Sequence, residues 1–163
     1  MSIAAAIEKM IRFYNGNKHD VAHFIKVHAY ARTIGELECL DPAVQQVLEL
    51  AAIVHDIACP YCRETYGSAI GSRQEEHGPA MAEAFLLDLG YDEAIIARVA
   101  WLVGHHHTYQ GVDGKDYQIL LEADYLVNAD EGHQPVEAIR SMRQRVFRTA
   151  AGTRLLDSIY LND

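Results

Sequence analysis

Apolar residues along the chain recur with the period of a helix, and no stretch alternates apolar with polar residues as a half-buried strand would. Ile3, Ile7, Met10 and Ile11 mark a first amphipathic helix, which stops at the turn signal Asn15-Gly16-Asn17. A second helix is expected from about residue 20 to 38. Asp41-Pro42 opens a third, with Asp41 as N-cap and Pro42 in the first turn. Val44, Val47, Leu48, Ala51 and His55 share one side of it. Residues 59–74, with Gly67 and Gly71, read as a long irregular stretch, and such stretches inside a compact domain are often functional. A fourth helix is expected over about 75–89, closed by Gly90, and a fifth from Asp92 to about 106, with Ile96, Val99, Val103 and His106 in phase. After a loop at 108–115 a sixth runs from Asp116 to Glu131, and Pro135 opens one or two closing helices. There are no repeats, linkers or low-complexity segments. The pattern predicts a single all-α domain over 1–163, compact, with about six to eight helices.

Composition narrows what such a domain does. Half of the 163 residues are hydrophobic, enough for a sizeable core. Fourteen basic residues against 23 acidic give a net charge of −9, which argues against non-specific binding to nucleic-acid polymers or to an anionic membrane. A small phosphorylated substrate stays compatible with that charge, because a bound cation reverses the local potential. Glu8 and Lys9 interrupt the apolar start, so no signal-peptide core is expected, and no apolar run approaches the length of a membrane span. Three cysteines make no disulfide framework and fit a reducing cytoplasm. Cys39 reads as a small buried residue.

Candidate chemistry begins at His55-Asp56, which closes the apolar run Ala51-Ala52-Ile53-Val54. Burying an imidazole beside a carboxylate is costly unless each finds a partner, and a divalent cation satisfies both. The plainer alternative is a helix end with an exposed Asp and a hydrogen-bonded core His. Other parts of the chain weigh against it. His23 falls in phase with Val27, Ala31 and Ile34 and is expected to face inward. His28 lies about 100° further round, next to Arg32. His19-Asp20 repeats the dipeptide at a helix start, where Asp20 reads better as a cap. In the sixth helix Asp124 interrupts an apolar stripe between Leu120 and Val127, and nothing basic lies on that helix. Two imidazoles and two carboxylates suit Zn, Mn, Fe, Co or Ni, without choosing among them.

These segments resemble the HD superfamily of metal-dependent phosphohydrolases. His23-Phe24-Ile25-Lys26-Val27 with Ala31 is similar to the family's first-histidine helix. Ala51-Ala52-Ile53-Val54-His55-Asp56-Ile57 is similar to its namesake dipeptide, and Glu122-Ala123-Asp124-Tyr125-Leu126 to its closing aspartate motif. The resemblance covers about residues 20–130. It implies an HD-type helical fold and metal ligation by His23, His55, Asp56 and Asp124. Some members hold a second metal through further histidines. His77-Gly78-Pro79 stands where those members carry one, and His105-His106 resembles their paired-histidine segment. Helical phase favours His106, the family pattern counts both, and His107 is left to the loop.

What the resemblance implies is hydrolysis of a phosphate ester or anhydride, of a nucleotide by expectation, by a metal-bound water that loses its proton and attacks phosphorus. One or two divalent transition metals per chain would serve, with Asp56 at the centre of the chemistry. Lys26, Arg63 and Arg73 are the candidates for steadying the phosphate, since fixed cations stabilise charge that grows in the transition state. Family members often carry a Lys soon after the dipeptide. Here none follows until Lys115, and Arg63 is the nearest cation. The alternative is a sensor module of the same fold that binds metal or nucleotide without hydrolysis. Assembly as a homodimer is open. Cys59-Pro60-Tyr61-Cys62 matches a glutaredoxin-type redox motif, but such a motif needs a βαβ setting, and a local turn beside the site is the better reading. Trp101 reads as packing.

Overall fold

The protein, a computed structural model describing residues 2–162, is built from helices: α1 (Ile3–Phe13), α2 (Lys18–Leu37), α3 (Pro42–Val54), α4 (Cys59–Tyr66), α5 (Gly71–Asp88), α6 (Glu93–Val103), α7 (Lys115–Glu131), α8 (Val136–Arg145) and α9 (Ala150–Tyr160). Asp41 caps α3, its carboxylate accepting from the Ala43 N–H at 2.9 Å. At α2 the cap is Asn17, not Asp20. The Asn17 side chain accepts from the Asp20 N–H, and the Asp20 carboxylate is taken up by Arg63 and by the Asn17 amide.

The domain is all-helical as expected, with nine helices among the described residues, and the helix that the periodicity did not announce lies within 59–74. That segment is not a long loop. It holds α4, whose buried face is the pair Cys59 and Cys62 one turn apart, and α5 starts earlier than expected, at Gly71. Gly67, at φ +75°, ends α4 in the left-handed conformation that favours glycine. A second correction concerns Cys39. It is exposed and sits at φ +53° just past α2, so it turns the chain toward α3 and takes no part in the core.

The core is where α2, α3 and α7 pack on one another. Phe24, Val27, Ala31 and Ile34 of α2 meet Leu48, Ala51 and Ala52 of α3 and Leu120, Ala123 and Val127 of α7, all almost fully buried. α6 packs on α3 and on α5. The close α5–α6 approach needs Gly78, because a Cβ there would stand 2.6 Å from Val103 Cγ1. The consequence for function is that one end of α3, the middle of α7, one turn of α2 and the end of α6 converge. No helix among the described residues is long and apolar enough to cross a membrane.

Candidate metal centre

Four acceptor atoms meet at that convergence. His23 Nε2 of α2 lies 3.2 Å from His55 Nε2, 3.4 Å from Asp56 Oδ2 and 3.3 Å from Asp124 Oδ1. His55 Nε2 lies 3.5 Å from each of the same two carboxylate oxygens. His55 caps α3, Asp56 follows it, and Asp124 comes from the middle of α7. His106, in the turn after α6, adds its Nε2 at 3.4 Å from the other oxygen of Asp56, Oδ1.

The second ring nitrogen of each of these histidines shows why a cation fits here. His55 Nδ1 is 2.9 Å from the Ala52 carbonyl and His106 Nδ1 is 2.7 Å from the Val103 carbonyl. A carbonyl only accepts, so each Nδ1 carries the proton and each Nε2 of a neutral ring turns a lone pair inward. His23 Nδ1 lies 2.9 Å from Glu131 Oε2 and is fixed the same way. Lone pairs and carboxylate oxygens packed this closely repel unless a positive charge sits among them. His106 Nε2 and Asp124 Oδ1 are moreover buried with no hydrogen-bond partner among the described residues. Groups left this way are expensive in a fold and point to an absent ion. The donor set therefore fits a divalent transition metal.

Electrostatics tell the same story in protons. Burial opposes charge on His55 and His23, but the carboxylates of Asp56 and Asp124 outweigh it, raising His23 and pushing His55 up to about 9. Burial alone would raise both aspartates. The positive field of the histidines instead holds Asp56 and Asp124 well below the usual carboxylate range. In the metal-free protein a proton thus fills the place of a cation.

Of the further histidines expected at the site, the structure brings only His106 to this group. His77 lies on α5 against two tyrosines, stacked on Tyr66 at 5.7 Å with its Nε2 3.0 Å from the Tyr66 hydroxyl. His105 stacks on Trp101 at 4.1 Å and faces the groove beside Pro79. The residue that joins instead is His107. Ligand atoms of Asp56, His106 and His107 lie within 4.8 Å of one another, as do those of His23, His55 and Asp56, so Asp56 belongs to both groups. The turn at 104–107 leaves the phase of α6, which is why periodicity gave no sign of His107. Burial, then the neighbouring His106, lowers His107 to about 4, leaving it neutral near pH 7.

Glu131, in the last turn of α7, was also missed. An acid there opposes the helix dipole, a local conflict that signals a tertiary partner. Its partners are His23 and Lys26, the latter at 3.0 Å. The three candidate phosphate cations are all engaged. Lys26 pairs with Glu131, Arg63 with Asp20, and Arg73 lies 3.7 Å over the Tyr66 ring. Cys59 is buried beside Asp56, and burial with that charge pushes its thiol pKa up, opposite to what a redox thiol needs. His28 is a buried structural partner of Glu49 at 2.9 Å.

No protein-family model matches the chain, and no curated protein matches it. Among solved structures the chain is similar to a predicted HD superfamily hydrolase from an uncultured Thermotogales bacterium, with a TM-score of 0.68 and 24% identity, over 98% of this chain and 83% of that one. The fold is that of an HD-type helical domain.

Proposed function

We propose that the chain is a metal-dependent phosphohydrolase acting on a phosphate ester or anhydride of a small molecule, a nucleotide by preference. His23, His55, Asp56 and Asp124 hold one divalent cation, and Asp56, His106 and His107 hold a second. The observation that carries this reading is the convergence of Nε2 lone pairs and carboxylate oxygens with every outer Nδ1 already bonded. A cation bound there lowers the pKa of a water and polarises a phosphoryl oxygen.

The chain's own residues do the rest. Asp56 turns Oδ2 to the first group and Oδ1 to His106, so it is the shared ligand. It is also the member of the first group that solvent reaches, its side chain 23% exposed where His23, His55 and Asp124 are at 8% or less. Substrate therefore enters on the Asp56 side, and the remaining ligands stay dry. Glu131 and the Ala52 carbonyl fix the rings of His23 and His55. Arg63 supports the phosphate in this reading, because its charge is felt beside Asp56, at Cys59 and Tyr14.

A sensor that binds but does not cleave rests on a different observation, that Lys26, Arg63 and Arg73 are already engaged. Phosphate release across a nucleotide panel with Mn, Co and Ni, in wild type and Asp56→Asn, decides. Release that Asp56→Asn abolishes supports the enzyme. Metal-dependent nucleotide binding with no release supports the sensor.

A further inference from the structure

A cavity of about 580 Å³ opens at the start of α7, and Tyr109, Asp113, Lys115, Gln118, Arg145 and Arg148 line it. None of the ligand residues lines it. In a chain of net charge −9, three cations around one hollow are out of keeping with the rest of the surface. Two of them belong to a local run, since Arg140, Arg143, Arg145, Arg148 and Arg154 follow one another with no acid between Glu137 and Asp157.

The lining acid Asp113 is itself already paired. Asp113 gives both carboxylate oxygens to Arg98, at 2.8 and 3.0 Å. Lys115 pairs loosely with Glu38, at 3.8 Å. Arg148 donates to the carbonyls of Gln144, Arg145 and Phe147 and so keeps its full charge. Arg145 is exposed. The N-terminus of α7 opens here too, with Gly114 as its cap residue, and the Asp116 carboxylate there accepts from the Tyr117 N–H at 2.8 Å while it pairs with Arg98. A helix N-terminus favours anions, and Lys115 of its own first turn and Arg145 of α8 stand at the same hollow.

The pocket and the metal centre share α7. Leu121, on its wall, precedes Asp124 by three residues, about 4.5 Å of helix rise, and Lys115 precedes it by about 13 Å. Tyr125, the next residue on α7, packs on Phe147 and has a buried hydroxyl without a partner among the described residues. Tyr109, in the loop between α6 and α7, lines the pocket on the side of the turn that carries His106 and His107.

From this arrangement we infer that the pocket binds a phosphoryl group on the non-reacting end of the substrate, so that the preferred substrate carries two anionic groups. The inference rests on the phosphohydrolase reading for the reacting end only.

Removing the metal separates the two sites. Inorganic phosphate titrated calorimetrically into chelator-treated protein is expected to bind, with affinity at least tenfold weaker in Arg145→Glu and weakened in Lys115→Ala. Arg154→Glu, an exposed arginine outside the pocket, keeps wild-type affinity. Circular dichroism and metal content of Arg145→Glu should match wild type, which shows that its fold and metal centre are intact. In turnover, Arg145→Glu should raise KM about tenfold for substrates with a second phosphate, leave kcat near wild type, and leave singly phosphorylated substrates unaffected. Phosphate binding that is absent without metal, or equal in wild type and Arg145→Glu, overturns the pocket. Binding lost in Arg145→Glu with KM unchanged for every substrate overturns the substrate assignment and leaves a site for a free anion. If wild type turns over nothing, the hydrolase reading fails, and the substrate assignment fails with it, while the phosphate titration still decides the pocket.

Discussion

His23 and Glu131, 108 residues apart in the chain, are joined by a hydrogen bond of 2.9 Å from imidazole Nδ1 to carboxylate Oε2. That contact leaves Nε2 as the atom His23 turns toward His55, Asp56 and Asp124. It links the last turn of α7 to the proposed ligand on α2 and makes Glu131 the residue that orients its ring.

Glu131→Ala should therefore weaken metal binding about 10- to 100-fold, the usual effect of removing a partner behind a ligating histidine. Competition against a chromophoric chelator measures this. Glu131→Gln, which can still accept from Nδ1–H, should retain more of the affinity. Equal affinity in wild type and Glu131→Ala would mean that His23 is oriented by packing alone.

Much of the fold and part of the site could be read from the residues. Asp41-Pro42 announced α3 because capping is local chemistry. Asp124 stood out because a carboxylate inside an apolar stripe conflicts with burial, and it lies at the convergence of α2, α3 and α7. α4 escaped notice because eight residues containing Pro60 and two glycine neighbours downstream carry little helical periodicity, and its apolar face is only Cys59 and Cys62. From the sequence, His77 and His105 are expected at the site and His107 in the loop, whereas the fold brings His107 to Asp56 and His106. Which histidines meet Asp56 depends on the path of the turn after α6 and on the stacking of His105 with Trp101 and of His77 with Tyr66. Glu131 left a trace in the sequence, an acid at a helix C-terminus, whose partner only the fold reveals.

Chelation should lower the melting temperature. A metal at 100 times its Kd contributes about 2.7 kcal/mol by mass action, which is about 5–10 °C for a chain of this size. The gap should widen with pH. In metal-free protein His55 has a raised pKa, so its contribution is complete below the ordinary imidazole value, about 6.5, and is lost as pH rises through about 9. The metal needs the proton gone and gains affinity over the same interval. A melting curve indifferent to chelator would rule out binding to the native state, and a chelated protein equally stable at pH 6.5 and 9 would rule out the raised His55.

Glu122, fully buried on α7, ties down the α8–α9 connection. Its carboxylate accepts from the N–H groups of Arg148 and Thr149 at 2.7 and 2.9 Å, from the Gln118 amide at 2.7 Å and from the Thr149 hydroxyl. Glu122→Ala strands several buried donors and should cost about 3 kcal/mol or more in denaturant unfolding. Glu122→Gln, which retains an acceptor oxygen, should cost less. Equal, small losses in both would show that water replaces the carboxylate there.

The most direct check on the central claim is elemental analysis of purified wild-type protein beside the His55→Ala/Asp56→Ala double variant, with circular dichroism to establish that both are folded. Wild type is expected to carry at least one transition-metal equivalent per chain and the folded double variant essentially none. A wild type that takes up no transition metal even when supplied with Mn, Co, Ni or Zn, or a double variant that keeps the wild-type equivalent, would contradict a metal centre built on His23, His55, Asp56 and Asp124.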